Sequence, residues 1–419
     1  MAFCLALVSM ARGEVLDRPS GIKIGERLTF RPYASMSFTY DSNPRSRSGS
    51  TAFKGKYGDC LWMIAPAFSL SYNAEYWSLL LDGYYNYRRY FKKENERYNS
   101  HNYGENLRWN WTDSVGREKG WSLIIGQSYK QVTMSEDMVM ADGSHYSSDT
   151  RQLQFSAAIQ RRFNEKVHAD LNGSYYWLDY MNDTRSSVAY YGWDRWTVGA
   201  EIGYAASKWA DIIIAGSYQG YTQDNAQAPS YDYVGRNRNI SDTSTGYSLQ
   251  AGFGSLLTDR ISYRFLVGWS RFEYGDAGSS DDGFIYTLTG NWKIGETWNT
   301  MLLASSYYQP SERQYATKNR VDAISWGLAK VLVRGKLRAT FDIRYRRENH
   351  EYVLDSTSSN DYVLDIVTGR LGLNYTLNRF FSFFAHVEYQ KSMNDHASQR
   401  NGAYDYDRLR AAVGAALSY

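Results

Sequence analysis

Arginine recurs at two-residue spacing toward the end of the chain. Arg344 and Arg346 form one such pair and Arg408 and Arg410 another, with Arg338, Arg370 and, near the start, Arg31 in the same phase of their own runs. On an extended backbone that spacing gathers the guanidiniums on one face. Fixed cations on a shared wall raise the local concentration of anions. Asp342 and Glu388 fall in the same phase and carry the opposite charge. Two readings follow: the arginines pair with these carboxylates and fill space, or they form a net basic strip that draws in anionic solutes or acidic polysaccharide.

Other residues offer weaker chemistry. Tyr84, Tyr176 and Tyr180 share the polar face of their runs and could stack on sugar rings. The segment Ser135 to Asp149 gathers Glu136, Asp137, Asp142 and Asp149, enough oxygens for Ca²⁺ but without EF-hand spacing, so a solvated acidic loop is the plainer reading. The histidines at 101, 145, 168, 350, 386 and 396 show no metal-ligand spacing, and no metal or cofactor is expected. His386 beside Glu388 reads as a solvated pair before it reads as an acid/base dyad. There is no P-loop, HExxH or GxSxG, and no helix-opening GxGxxG; GFG at Gly252 to Gly254 sits in a strand pattern. No catalytic residue is proposed.

The elements that must position these side chains are strands. The last run, RLRAAVGAALSY, places Leu409, Ala411, Val413, Ala415, Leu417 and Tyr419 on one face and Arg408, Arg410, Ala412, Gly414, Ala416 and Ser418 on the other. One face suits hydrocarbon and the other water. From Leu28, LTFRPYASMSFTYD alternates in the same way, and Pro32 inside it predicts a bulge or weak pairing near one end. About 18 such runs can be counted, the even number that bacterial single-chain barrels use. The faces around Met301, Leu303 and Tyr307, and around Ile324, Trp326 and Leu328, are ambiguous. Connections alternate between short, such as Asn164 to Lys166 and Thr376 to Arg379, and long, such as Thr133 to His145, Asp224 to Ser244 and Lys391 to Ala403. Aromatic residues cluster beside both kinds, as two interfacial girdles would require.

Composition agrees with strands that cross a membrane. Lys+Arg 47 against Asp+Glu 44 leaves a formal charge of +3 on 419 residues, so no bulk attraction to nucleic acid is expected. No apolar run approaches the roughly 20 residues of a membrane helix. Aromatics reach 16%, with Tyr 38 and Trp 13, while Pro is only 6, a balance that favours girdles and unbroken ladders. MAFCLALVSMARG, residues 1–13, reads as a secretory signal, although no basic residue precedes its apolar run, as though the true signal began earlier. Cys4 would leave with it, and Cys60 would remain alone. Residues 14–27 would form a short periplasmic segment and 28–419 the barrel.

With YDSNP at Tyr40 to Pro44 closing a first strand that begins LTFRPYASMSF, the chain resembles the outer-membrane beta-barrel porins, some of which sit in exopolysaccharide export loci. The resemblance spans the mature chain, and YDSN is its motif. It implies an outer-membrane pore and hands over no catalytic residues. The strand ending on Tyr419 also resembles the signal that such barrels present to their assembly machinery. The expected fold is all-β: a single up-and-down transmembrane antiparallel barrel with short periplasmic turns and long outer loops, in contact with outer-membrane lipid. The expected function is passive passage of hydrophilic solute, saccharides or exported polysaccharide. A closed barrel displaying its loops as an adhesin or receptor is the alternative, and an outer-membrane lipid or glycan enzyme ranks last.

Overall fold

In the computed structural model, residues 21–44, 58–113, 120–139, 145–181, 192–207, 209–223, 243–258, 260–274, 279–310, 318–351, 362–394 and 405–419 are described. The expected signal, residues 1–13, lies outside them. A short strand β1 (Ile22–Ile24) precedes β2 (Leu28–Asp41), β3 (Asp59–Asn73), β4 (Trp77–Tyr90), β5 (Ser100–Thr112) and β6 (Gly120–Val139). Then come β7 (His145–Arg162), β8 (Val167–Met181), β9 (Trp193–Ser207), β10 (Ala210–Gln223), β11 (Thr243–Thr258), β12 (Ile261–Tyr274) and β13 (Ser279–Ile294). The last are β14 (Trp298–Pro310), β15 (Lys318–Val333), β16 (Leu337–Glu351), β17 (Tyr362–Thr376), β18 (Phe381–Asn394) and β19 (Tyr406–Ser418). Each strand from β2 onward pairs antiparallel with its sequence neighbours, and β19 pairs with β2, so the sheet closes as an 18-stranded barrel. A short 3₁₀ helix, Lys93–Tyr98, is the sole helical element among the described residues.

Closure explains how so apolar a sheet avoids an open edge. Outward side chains are large, apolar and exposed: Ile202 60%, Leu249 63% and Val413 60%. An apolar band of this extent is a liability in water and a requirement in lipid. The ambiguous faces resolve here. Ile324 and Trp326 point outward and are exposed, while Leu303 lies opposite Ser325 on the inner face and is buried.

Pro32 causes no bulge. The β2–β3 register runs unbroken through Pro32↔Phe68. On the other side the ladder with β19 stops at Ser418↔Tyr33, and the Pro32 carbonyl accepts the Tyr419 N–H at 3.2 Å. Below that point β1 takes over the edge, with Ile22↔Phe30 and Ile24↔Leu28. A residue lacking an N–H thus sits where one neighbour ends and the next begins. The β1–β2 turn repeats Lys-Ile-Gly-Glu of the β13–β14 turn, and Gly25 (φ 70) and Gly295 (φ 62) supply the left-handed residue in each.

One long connection proves shorter than the sequence pattern implies. β6 continues to Val139 and β7 begins at His145, with Met138↔Tyr146 and Val139↔His145 paired, so the segment read as a loop from Thr133 is largely a hairpin extension. Its periodicity is interrupted by a register shift between Met134 and Met138, which hides the strand from a strict two-residue pattern.

Candidate lumen site

Antiparallel pairing carries one face around the wall. Asp342 is opposite Arg370, Arg370 opposite Glu388, Glu388 opposite Arg410, and Arg410 opposite Asp41. This row joins β16, β17, β18, β19 and β2 on the face opposite the exposed Ile343, Leu371, Val387 and Val413. The arginines therefore face inward together, and the one-residue slip that would turn them to lipid does not occur.

Their environments differ. Arg408 is not an open lumen charge: it is 2% exposed and donates through Nε and Nη2 to Asp41, itself 0% exposed, at 2.9 Å and 2.5 Å. Arg410 divides its guanidinium between Asp41 at 3.3 Å and Glu388 at 3.4 Å. Arg346 pairs with Glu348 at 2.8 Å, and Glu348 also holds His350 at 2.8 Å. Arg31 donates Nη1 to Ser71 Oγ at 3.1 Å. Arg344 and Arg370 remain exposed about halfway along β16 and β17. Asp342 is opposite Arg370 and two residues from Arg344, yet forms a salt bridge with neither. Arg338 is half-buried near the periplasmic end of β16.

Asp41 is the residue that sequence reasoning missed. It belongs to YDSN, of which Asp41, Ser42 and Asn43 are buried against the last strand while Tyr40 is exposed on the outer face. Ser42 N–H donates to the Leu409 carbonyl at 2.9 Å, and Leu409 N–H donates to Ser42 Oγ at 2.8 Å. Asn43 N–H donates to Asp41 Oδ1 at 3.1 Å, and its side-chain amide reaches the Asp407 carbonyl at 3.4 Å. The motif fastens the outer end of the barrel's closing seam. The signal was available in principle, because closure forces β2 against the last strand, but its register is set only by three-dimensional pairing.

The tyrosines also separate. Tyr176 packs its ring on Trp193 at 4.9 Å, and Trp193 stacks on Tyr221 at 5.1 Å, in an inner cluster with Leu178. Its face is already covered. Tyr84 is 36% exposed and free of ring contacts among the described residues. The Tyr180 side chain lies outside the described residues, as do those of Glu136, Asp137 and Asp142 of the acidic segment; Asp149 accepts from Thr133 Oγ1 at 2.6 Å.

His168, Asp170 and Glu201 converge on the inner wall of β8 and β9, with ligand atoms within 4.8 Å of one another. Asp170 and Glu201 are directly opposite, a placement that needs a cation nearby. Arg264, three strands away on β12, supplies it by donating through both terminal nitrogens to Glu201. The carboxylate a metal would need is thus already engaged. No sequence spacing reveals this group, because its members come from three strands.

An 18-stranded antiparallel barrel with an apolar outer band and charged inner wall defines an outer-membrane barrel protein. The chain belongs to the family described as Putative beta-barrel porin 2, which matches residues 18–419, and is accordingly an outer-membrane protein. No curated protein matches it in sequence. Among solved structures it is similar to the FrpB iron transporter from Neisseria meningitidis, with 11% identity over 95% of this chain and 67% of that one, at a TM-score of 0.48. It is also similar to the outer membrane protein opdK from Pseudomonas aeruginosa, with 13% identity over 93% and 99% of the two chains at 0.44. OpdQ of the same organism shares 11% identity over 93% and 98%, at 0.42.

Proposed function

We propose that the protein is a channel for passive passage of hydrophilic solutes, with saccharides or exported polysaccharide as the cargo class and an anion-favouring inner wall. The observation that carries this reading is the pair Arg344 and Arg370, exposed inside the barrel at mid-height and not neutralised by a salt bridge. Guanidiniums facing inward at that depth need water, which an open lumen supplies and a packed core does not. Barrels of 16 to 18 strands are wide enough to leave an aqueous channel. The family assignment supports the same reading.

One observation favours the rival, a closed barrel whose outer surface binds a partner. Inward side chains at the outer strand ends are buried in several places, among them Trp193, Phe272, His350 and Arg408. Planar-bilayer recording separates the two. Purified protein should insert in discrete conductance steps in KCl; folded barrel that gives no steps would reject the channel.

A further inference from the structure

We propose that Tyr33 and Tyr84 form the two walls of a pyranose-binding cleft at mid-lumen, with Ala67 as its floor, and that the ligand is a unit of an acidic oligosaccharide. This rests on the channel reading and names its substrate class. In one row across the inner wall Tyr33 is opposite Ala67, Ala67 opposite Tyr84, and Tyr84 opposite Gly104. Strands lie about 4.8 Å apart, so the two tyrosine backbones are separated by roughly 10 Å with only a methyl group between them. Tyr84 leans toward Gly104, where an added Cβ would lie 2.9 Å from its Cε1. The ring therefore leans to the side away from Tyr33, and Ala67 keeps partial exposure.

Both rings are available. Tyr33 is 40% exposed and Tyr84 36%, and neither touches another ring among the described residues. An exposed aromatic ring inside a water-facing wall has no packing partner to justify it, and a sugar ring offers an apolar C–H face of matching size. Polar groups flank the cleft for the hydroxyls. One row toward the periplasm stand Arg31, Ser69 and Asp82, and beside Tyr84 on β4 stands Asn86. Arg31 Nε and Asn86 Oδ1 are buried without a hydrogen-bond partner, which a bound hydroxyl network would relieve. The β3–β4 ladder also skips Ala65 and Pro66 beside the floor, so the backbone there is not locked on both sides. Arg344 and Arg370 stand at a similar half-height further round the same wall and select a chain that carries carboxylates.

The probe is trigalacturonate, titrated calorimetrically into the folded full-length barrel in detergent, with conductance in KCl measured on the same preparation. Wild type should release binding heat. Tyr33→Ala and Tyr84→Ala should each weaken the affinity about tenfold or more, close to 1.4 kcal/mol. Tyr33→Phe, which keeps the ring, should bind like wild type, and so should Tyr176→Ala, whose ring is already stacked. Gel mobility with and without boiling certifies that each variant is folded. Absence of heat from a wild-type barrel that conducts would overturn the cleft, as would alanine variants that bind unchanged. Binding by a barrel that does not conduct would leave the cleft standing and remove the channel.

Discussion

Replacing Asp41 by Ala should be among the most damaging single changes in the barrel. Asp41 receives Arg408 Nε at 2.9 Å and Nη2 at 2.5 Å, Arg410 Nε at 3.3 Å and the Asn43 N–H at 3.1 Å. Truncation strips all of these while Arg408 stays buried at 2% exposure. Removing one partner of a buried pair costs about 3–5 kcal/mol, because the charge that remains has lost its closest counter-charge in a poorly solvated site. That corresponds to two to three and a half decades in the folding equilibrium, at roughly 1.4 kcal/mol per decade. The pair itself is worth far less, since replacing both partners with apolar residues of similar size is often neutral. Asp41→Leu combined with Arg408→Met should therefore recover most of what Asp41→Ala loses. The assay is urea-dependent unfolding of barrel refolded into lipid vesicles, followed by tryptophan fluorescence and by gel mobility without boiling. A double variant as unstable as the summed singles, or an Asp41→Ala barrel as stable as wild type, would refute the reasoning.

Replacing Arg344 and Arg370 together by Gln should move the reversal potential in a salt gradient toward cation preference, and the shift should fade near 1 M salt, where screening contracts to about 3 Å. Arg408→Gln combined with Asp41→Asn should leave ion preference almost unchanged, since the two charges it removes match one another. Gly252→Ala should impair folding, measured by the same gel shift, because its Cβ would lie 1.9 Å from the Phe265 carbonyl oxygen, whereas Gly290→Ala, with nothing within 4 Å, should be tolerated. Cys60 is a free exposed thiol at the outer start of β3, so a membrane-impermeant maleimide should label it on intact cells; labelling only after periplasmic access would invert the assigned orientation.

The barrel was legible because lipid and water impose opposite demands on alternate residues, and that period survives through most of each long strand, the stretch of β6 beyond Met134 excepted. Strand faces such as Leu371, Leu373 and Tyr375 against Arg370 and Asn374 follow from spacing alone. What spacing could not reveal is which inward charges are solvated. Arg370 and Arg408 occupy the same phase in similar strands, yet one is exposed and the other buried, because the seam brings Asp41 to Arg408 from 367 positions away. Tyr84 and Tyr176 diverge for the same reason. Trp193 arrives from the next strand to cover one, while Gly104 arrives to make room for the other.

The seam also accounts for why YDSN is the recognisable part of the chain and yet says nothing about cargo. A barrel of this kind has one junction that its hairpins cannot form, the pairing of first strand with last, and that junction must find its register without a connecting turn. Backbone hydrogen bonds alone do not fix it, because a shift by two residues would preserve both the ladder and the inside–outside pattern. Asp41 and Ser42 break that degeneracy: the carboxylate matches Arg408 and Arg410, and the hydroxyl caps Leu409, in one alignment only. β1 completes the fastening below, where β19 has ended. The residues we propose to decide passage lie elsewhere, at mid-height on the wall that runs from Arg344 and Arg370 round to Tyr33 and Tyr84, where these side chains are exposed inside the barrel. On that proposal closure and transport draw on different residues of the same inward face, and Asp41→Ala should change folding far more than selectivity, while variants at Arg344 and Arg370 should do the reverse.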